Sequence, residues 1–247
     1  MMTSSRKVFD VLEYLSKQGP SRAIEISREL NLQKSSVHRF LNSLVEFGYV
    51  YKNDLSGQFG VTLKIVQLGL MVGNRIDMVS AALPYMRQLV IAFNQTVGLG
   101  TLVDNSLLVL RREYPRNAMT HIDMSQQLPA YCTGMGKALL SALTEQELDD
   151  YIASVPRTAF TVHTLVDGGA LKENILEAKR NGYAEDRGEI SDALHCVSVP
   201  IAIPQGRIWS LSLSGHVGAI SEIGVPVIVE RLQGIARRLT SGVSFLT

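Results

Sequence analysis

The sequence predicts an α+β protein built from two unequal domains, and two observations carry this prediction. Residues 1–62 contain three helical patterns followed by a strand-turn-strand pattern, whereas strands and helices are interleaved through the rest of the chain. The charge divides in the same way, since residues 1–64 carry nine Lys/Arg against six Asp/Glu, while residues 65–247 carry fifteen against seventeen. A small basic domain beside a mildly acidic larger one is typical of a polyanion-binding module attached to a second function.

The elements of the small domain follow from apolar spacing and turn residues. They are helices over 7–17, 23–30 and from Ser35 or Ser36 to Gly48, and strands over 49–54 and 57–62. Gly19-Pro20 ends the first helix, a serine can cap the third, and Asn53-Asp54 begins the turn between the strands. Three helices and a basic hairpin in this order predict a winged helix-turn-helix.

The larger domain reads as an antiparallel or mixed sheet with covering helices. Helices are predicted over 63–72, 76–94, 136–143, 171–182 and 221–240, and a further helix is predicted to start at the capping box formed by Thr144 and Glu147. Strands are predicted over 96–104, 107–114, 196–203 and 208–215. Asp104-Asn105-Ser106 and Pro204-Gln205-Gly206-Arg207 supply the turns between paired strands. This order favours an α+β domain over a doubly wound parallel sheet.

Composition restricts the compartment in which the chain works. Only two cysteines occur, so a disulfide framework is excluded and a reducing cytoplasm is the expected compartment. We see no secretory segment at the start and no apolar run approaching 18 residues, so we expect neither export nor membrane spanning.

Polar residues cluster on the third predicted helix, within a segment (22–53) that has the helix-turn-helix layout. The predicted DNA-contacting residues are Gln33, Lys34, Ser35, Ser36, His38, Arg39 and Asn42. Ser35, Ser36 and Arg39 are the best candidates for groove contacts, because the start of a recognition helix lies nearest the base edges. The alternative is a helical bundle whose charged face is only solvated.

Two features of the larger domain could hold an anion. In Tyr131–Leu140, a glycine-punctuated turn runs into a helix, and the backbone N–H groups of Gly134 and Met135 could bind an anionic group there. In the strand Trp209–Gly215, the serines at alternate positions share one face, which either meets solvent, the more common outcome, or lines a polar pocket. The plain alternative for the turn is a helix start with glycines for close packing.

A thiol and an imidazole could together form a nucleophilic pair, as in some enzymes. The candidate thiols and imidazoles are Cys132, Cys196, His121, His163 and His195. None has a catalytic spacing, and His195 and Cys196 are neighbours on a strand, so they point to opposite faces. A metal site from His121, Asp186 and Cys196 is conceivable, but lone His and Cys residues are usually structural. We therefore expect no catalytic residue, metal or cofactor; the rival reading is a small-molecule enzyme or thiol redox sensor fused to a winged helix.

The chain resembles the IclR family of bacterial regulators over nearly its whole length. The segments that carry the resemblance are 22–53, "FGVTLKIVQLG", "LPAYCTGMGKALLSAL", "NGYAEDRGEISDALHCVSVPI" and "WSLSLSG". The resemblance implies a winged helix over 1–62, a linker helix over 63–75 that helps dimerisation, and a GAF-like effector-binding domain over 76–247. It also implies a homodimer or dimer of dimers on a palindromic double-stranded DNA operator, with repression of a catabolic operon as the expected outcome.

The resemblance further implies which residues hold an effector carboxylate. They are Gly134, Met135, Asp186, Cys196, Ser212 and Ser214. A carboxylate at Asp186 would repel an anionic ligand unless it faced a different end of that ligand, such as a hydroxyl. A small carboxylic acid that bears hydroxyls is therefore expected. Sugar acids, hydroxy acids and keto acids lead, and aromatic acids are the further alternative.

Overall fold

The computed structural model describes residues 4–73, 77–116, 127–203 and 207–243. The chain divides into two compact units, Met1–Arg75 and Ile76–Thr247, each described below by itself. Mixed helix and sheet in these units confirms the predicted α+β class. The predictions for His121 and for the turn at 204–206 lie outside the described residues.

The first unit is a three-helix domain with a small antiparallel sheet. Its elements are α1 (Ser4–Gln18), β1 (Ser21–Arg22), α2 (Ala23–Glu29), α3 (Lys34–Glu46), β2 (Val50–Lys52), β3 (Gln58–Val61) and α4 (Leu63–Gly73). The sheet order is β1-β3-β2, so the predicted hairpin pairs with a two-residue strand that the sequence pattern did not reveal. The apolar faces of α1, α2 and α3 close one core over this sheet.

Helix α3 begins before Ser35 and Ser36, the two residues that were predicted to cap it. Asn31 adopts φ 50°, which turns the chain directly after α2, and the helix starts at Lys34 with Gln33 at the N-cap position and no side-chain cap. Ser35 and Ser36 therefore lie in the first turn, and the capping prediction was wrong. Apolar residues at spacings of three and four then bury one face of the helix in the core.

The second unit is a six-stranded antiparallel sheet with helices on both faces. Its elements are α5 (Asp77–Phe93), β4 (Thr96–Val103), β5 (Ser106–Glu113), β6 (Gln127–Pro129), α6 (Gly134–Leu140), α7 (Glu145–Ser154), α8 (Gly168–Asn181), β7 (Ala184–Arg187), β8 (Leu194–Ile201), β9 (Trp209–His216), α9 (Val217–Ile223) and α10 (Val225–Val243). The strand order is β6-β5-β4-β9-β8-β7. Helices α5 and α10 cover one face over the main apolar core, and α6 lies on the other, with α7 and α8 beside it.

Local signals in this unit were mostly correct. Asp104 and Asn105 both have positive φ, as a two-residue hairpin requires, and the capping box that starts α7 is present. The prediction of a single final helix was wrong, because Gly224 at φ 87° separates α9 from α10. Strands β6 and β7 were missed, since each is too short to show an alternating pattern.

Candidate functional site

A cavity of about 330 Å³ lies in the second unit, on the sheet face that α6 covers. Its walls come from strands β4, β5, β8 and β9, from the start of α6 and from the end of β7 with the loop that follows. The residues that the family resemblance assigned to an effector all line it: Gly134, Met135, Asp186, Cys196, Ser212 and Ser214. The fold thus brings together residues that are up to 80 positions apart in the sequence.

The strand register explains how these residues meet. In one row across the sheet, Asp186 lies opposite Cys196, Cys196 opposite Ser214, and Ser214 opposite Thr96. Directly opposite residues of antiparallel strands share a face, so these side chains line the same wall. The row forms a polar floor across four strands.

A second row runs parallel to the first, two residues along each strand. Ser198 lies opposite Ser212, Ser212 opposite Gly98, and Gly98 opposite Arg112. Ser212 is 1% exposed, and its hydroxyl donates a long hydrogen bond of 3.5 Å to the carbonyl of Gly98. Exposure to solvent is the more common outcome for such a strand face. Here the serine face lies against the cavity instead.

Helix α6 approaches the sheet closely because glycines stand where it touches neighbouring segments. A Cβ on Gly134 would lie 2.9 Å from the carbonyl oxygen of Cys196, and one on Gly136 would lie 2.2 Å from that of Ala130. The hydroxyl of Thr133 caps the helix by accepting from the N–H of Gly136 at 3.2 Å. The glycine-punctuated turn thus serves close packing and also sets the start of α6 against the cavity.

Asp186 is the cavity carboxyl, and it is 1% exposed. Its Oδ1 accepts from the backbone N–H of Glu189 at 2.7 Å, which holds the side chain in place. Burial raises the pKa of Asp186 from 3.8 to about 7, against the opposing effect of that hydrogen bond. Near neutral pH a substantial fraction of Asp186 is therefore protonated and able to donate a hydrogen bond.

A buried ion pair lies behind Asp186. The ammonium of Lys137, on α6 and 1% exposed, contacts Oε1 of Glu189 and donates to Asn174 on α8 at 3.1 Å. The hydroxyl of Thr164 donates to the carbonyl oxygen of Glu189 at 2.6 Å. Sequence reasoning missed this pair; the available signal was a lone lysine among the small and apolar residues of α6.

The two thiols are poor nucleophiles. Burial raises the pKa of Cys132 to about 12 and that of Cys196 to about 11, although hydrogen bonds with Ser198, with Ser212 and with the backbone N–H of Met135 lower the pKa of Cys196 somewhat. His195 lies 2.7 Å from Oε2 of Glu185, on the sheet face opposite Cys196, as strand alternation predicted. A Cys-His nucleophilic pair is therefore not formed by these residues.

Metal ligation finds no support within residues 4–73, 77–116, 127–203 and 207–243, where no three His, Cys, Asp or Glu side chains group as a metal site needs. In the same ranges no helix has both the length and the apolar character to cross a bilayer.

The first unit carries its predicted contact residues on the surface. Gln33, Lys34, Ser35, His38, Arg39 and Asn42 are exposed, and Ser36 is half-buried. They divide between two sides of α3. Lys34, His38 and Asn42, four residues apart, line a groove shared with Arg22 and Lys52 of the sheet.

The other side of α3 carries Arg39, whose guanidinium lies 5.3 Å from the ring of Phe40. Arg22 and Lys52, which the sequence did not single out, reach the groove only because β1 and β2 both pair with β3. The Nε of Arg22 donates to the carbonyl of Ser56 at 3.2 Å and ties β1 to the hairpin turn. A basic groove thus runs between the exposed helix face and the hairpin.

Comparison with known proteins gives one consistent result. The family model described as "Bacterial transcriptional regulator IclR C-terminal" matches residues 71–241, and the model of the "IclR helix-turn-helix domain" matches residues 4–54. The HTH-type transcriptional regulator KdgR of Escherichia coli (strain K12) is 27% identical over 246 residues, covering 99% of this chain and 94% of KdgR. The HTH-type transcriptional repressor AllR of the same strain is 30% identical over 215 residues, covering 86% of this chain and 79% of AllR.

Among solved structures, an IclR homolog from Microbacterium hydrocarbonoxydans complexed with 4-hydroxybenzoate superposes with a TM-score of 0.76 at 23% identity. The match covers 97% of this chain and 100% of that one. At this identity the likeness shows a shared fold.

Proposed function

The chain belongs to the IclR family of bacterial transcriptional regulators, and from that premise we propose that it represses a catabolic operon in response to a small carboxylic acid. Its relatives are DNA-binding transcriptional regulators and not enzymes, so DNA binding is its activity. The observation that carries the effector half of the proposal is the polar cavity of about 330 Å³ in which the six expected residues meet. That volume is at the small end of ligand pockets and suits a compact acid.

The acid is proposed to bind by its carboxylate between α6 and β9. Gly134 and Met135 line the cavity at the helix start, where their N–H groups would donate to the carboxylate, and the hydroxyls of Ser212 and Ser214 would donate from the facing strand. The N–H of Met135, which contacts the thiol of Cys196, would exchange a weak acceptor for a carboxylate oxygen. Each donor is held by backbone or a buried strand, so little ordering is needed on binding.

The other end of the acid is proposed to meet Asp186. A protonated Asp186 can donate to a keto or hydroxyl oxygen, and an ionised one can accept from a hydroxyl. Sugar acids, hydroxy acids and keto acids satisfy this arrangement. The 4-hydroxybenzoate bound by the Microbacterium relative also combines a carboxylate with a hydroxyl, which keeps aromatic acids within the proposed class.

The DNA half of the proposal assigns α3 to the major groove of a palindromic operator. Its contacts come from Gln33, Lys34, Ser35, Ser36, His38, Arg39 and Asn42. We assign 1–62 to DNA binding, 63–75 to the linker helix and 76–247 to effector binding, and place the protein in the cytoplasm, where the operator is. A homodimer or a dimer of dimers would present two such helices to the two half-sites.

Calorimetric titration of the full-length protein tests the effector half. The panel is D-gluconate, D-galacturonate, lactate, pyruvate and 4-hydroxybenzoate, with D-glucose as the neutral control. At least one acid is expected to bind and glucose is not. Binding of none of these acids, or turnover of one of them detected by NMR, would overturn the proposal.

A further inference from the structure

Strand β5 carries two consecutive arginines that lie on opposite faces of the sheet. Arg111 contacts Glu113 on its own strand, and Glu113 lies 3.4 Å from Arg87 of α5, so this pair faces the α5 side. Side chains alternate along a strand, which places Arg112 on the other face. There it is half-buried and lines the cavity.

The register fixes where Arg112 stands within the cavity. It lies opposite Gly98, which lies opposite Ser212, so the three share one row across adjacent strands. Gly98 contributes no side chain, and a Cβ there would come within 2.9 Å of the Ser212 hydroxyl and 3.1 Å of the Met135 methyl. Glycine at position 98 therefore leaves room for the Ser212 hydroxyl and the Met135 side chain to lie close over β4.

The cavity thus has two ends of different chemistry. The end at β7 holds Asp186, whose raised pKa of about 7 leaves it partly neutral. The end at β5 holds the permanent charge of Arg112, four strand spacings or about 19 Å of backbone separation away. A ligand that spans the cavity can therefore meet a carboxyl group at one end and a guanidinium at the other.

We propose that Arg112 forms a second anion site and that the effector is a dicarboxylic acid. One carboxylate lies between α6 and the serines of β9, and the second accepts two parallel N–H bonds from the planar guanidinium, a geometry that suits carboxylates. This inference rests on the proposed function, because it assumes that the cavity binds acids. It adds the requirement for a second carboxylate at the β5 end.

The test compares acids that differ only in the second carboxylate. Full-length protein is titrated calorimetrically at pH 7 with adipate against hexanoate, and with galactarate against D-galactonate. The diacid of at least one pair is expected to bind roughly tenfold or more tighter than its monoacid, the size of one charge-assisted contact. Arg112→Met should remove that preference by weakening the diacid, leaving the monoacid within about threefold.

Two further variants on strand β5 control the result. Arg111→Met removes the same charge from the opposite face and should leave both affinities unchanged. Arg112→Lys keeps the charge but not the planar fork, so it should retain part of the diacid preference. Thermal unfolding of each variant verifies that the fold is intact.

The outcomes separate this inference from the proposed function. If the diacid and the monoacid of each pair bind with equal affinity, or if Arg112→Met lowers the affinity for both by the same factor, the second anion site is overturned while the acid-binding cavity stands. If none of these four acids nor any acid of the earlier panel binds the parent protein, the proposed function fails and this inference fails with it.

Discussion

The two units place their polar residues in opposite surroundings. In the first unit the cations and amides of α3 stand exposed above an apolar core, as Lys34, His38 and Arg39 do. In the second unit Lys137, Asp186 and Ser212 are each 1% exposed. Water and salt compete for every contact on the open surface, whereas burial strengthens a satisfied contact and penalises an unsatisfied one.

This difference predicts how each unit responds to substitution. Binding of a polyanion to the first unit should rest on many weak contacts and should weaken as salt rises. Binding and stability in the second unit should rest on few contacts, each of which is costly to remove.

The largest effect should come from the buried ion pair. Lys137→Met leaves Glu189 buried without its cation and is expected to lower the free energy of unfolding by about 3–5 kcal/mol. Lys172→Met, which removes the cation of an exposed pair with Asp149, should cost about 1 kcal/mol or less. Urea unfolding of both variants measures the contrast.

A second variant checks the cause of that loss. Lys137→Met/Glu189→Gln removes both charges and should regain part of the stability, since no uncompensated carboxylate stays buried. Equal stability of Lys137→Met and Lys172→Met would contradict the contrast between the two surroundings.

The next effect concerns the serines of β9. Ser212→Ala/Ser214→Ala would remove the two charge-assisted hydrogen bonds proposed to the ligand carboxylate, and affinity for a bound acid should then fall by about two orders of magnitude. Ser210→Ala is the matched control, because Ser210 shares their strand face, does not line the cavity and has no hydrogen-bond partner among the described residues. Normal binding by the double variant would place the acid elsewhere in the domain.

A smaller effect is expected on the DNA surface. Arg39→Ala should weaken DNA binding by about 1–3 kcal/mol, the value of one good groove contact, and leave calorimetric acid binding unchanged. Lys17→Ala on α1 removes the same charge outside α3 and should change affinity less. Fluorescence anisotropy at several salt concentrations measures both, and unchanged DNA affinity of Arg39→Ala throughout would refute its role.

The smallest effect is a pH dependence set by Asp186. Its pKa is raised to about 7, and a bound anion favours the protonated form, so acid affinity should fall as pH rises above about 7, by at most tenfold per pH unit. Below that pH the affinity should be level. Asp186→Asn should bind acids with little change between pH 6 and pH 8.5, and an equally steep profile in that variant would assign the titration to another group.

The raised pKa of Asp186 also makes the stability of the fold depend on pH. The folded state holds a proton on Asp186 between its ordinary pKa of 3.8 and about 7, where the unfolded chain has released it. The contribution of Asp186 to stability is therefore full below that range and is lost as pH rises through it. Asp186→Asn should flatten this part of the pH profile of unfolding.

Sequence reasoning succeeded where a pattern is local or periodic. The buried face of α3, the capping box of α7 and the serine alternation of β9 follow from spacing alone. The placing of six residues around one cavity came from family resemblance, because no local pattern connects Gly134 with Ser214.

What the sequence could not predict depends on strand order and register. Arg112 meets the cavity because β5 pairs with β4 opposite Gly98, and Glu189 meets Lys137 because the loop after β7 folds against α6. The division of the final helix was predictable in part, since Gly224 two residues before Pro226 is a helix-stop signal.

We propose that an acid in the cavity of the second unit controls DNA binding by the first. Fluorescence anisotropy of a labelled duplex from the region upstream of the gene, titrated with the acid that binds best by calorimetry, tests it most directly. We expect release of the DNA, half-complete near the calorimetric Kd of that acid, and a shift of this midpoint by about a hundredfold in Ser212→Ala/Ser214→Ala. DNA affinity that stays unchanged while the acid saturates the protein would contradict it.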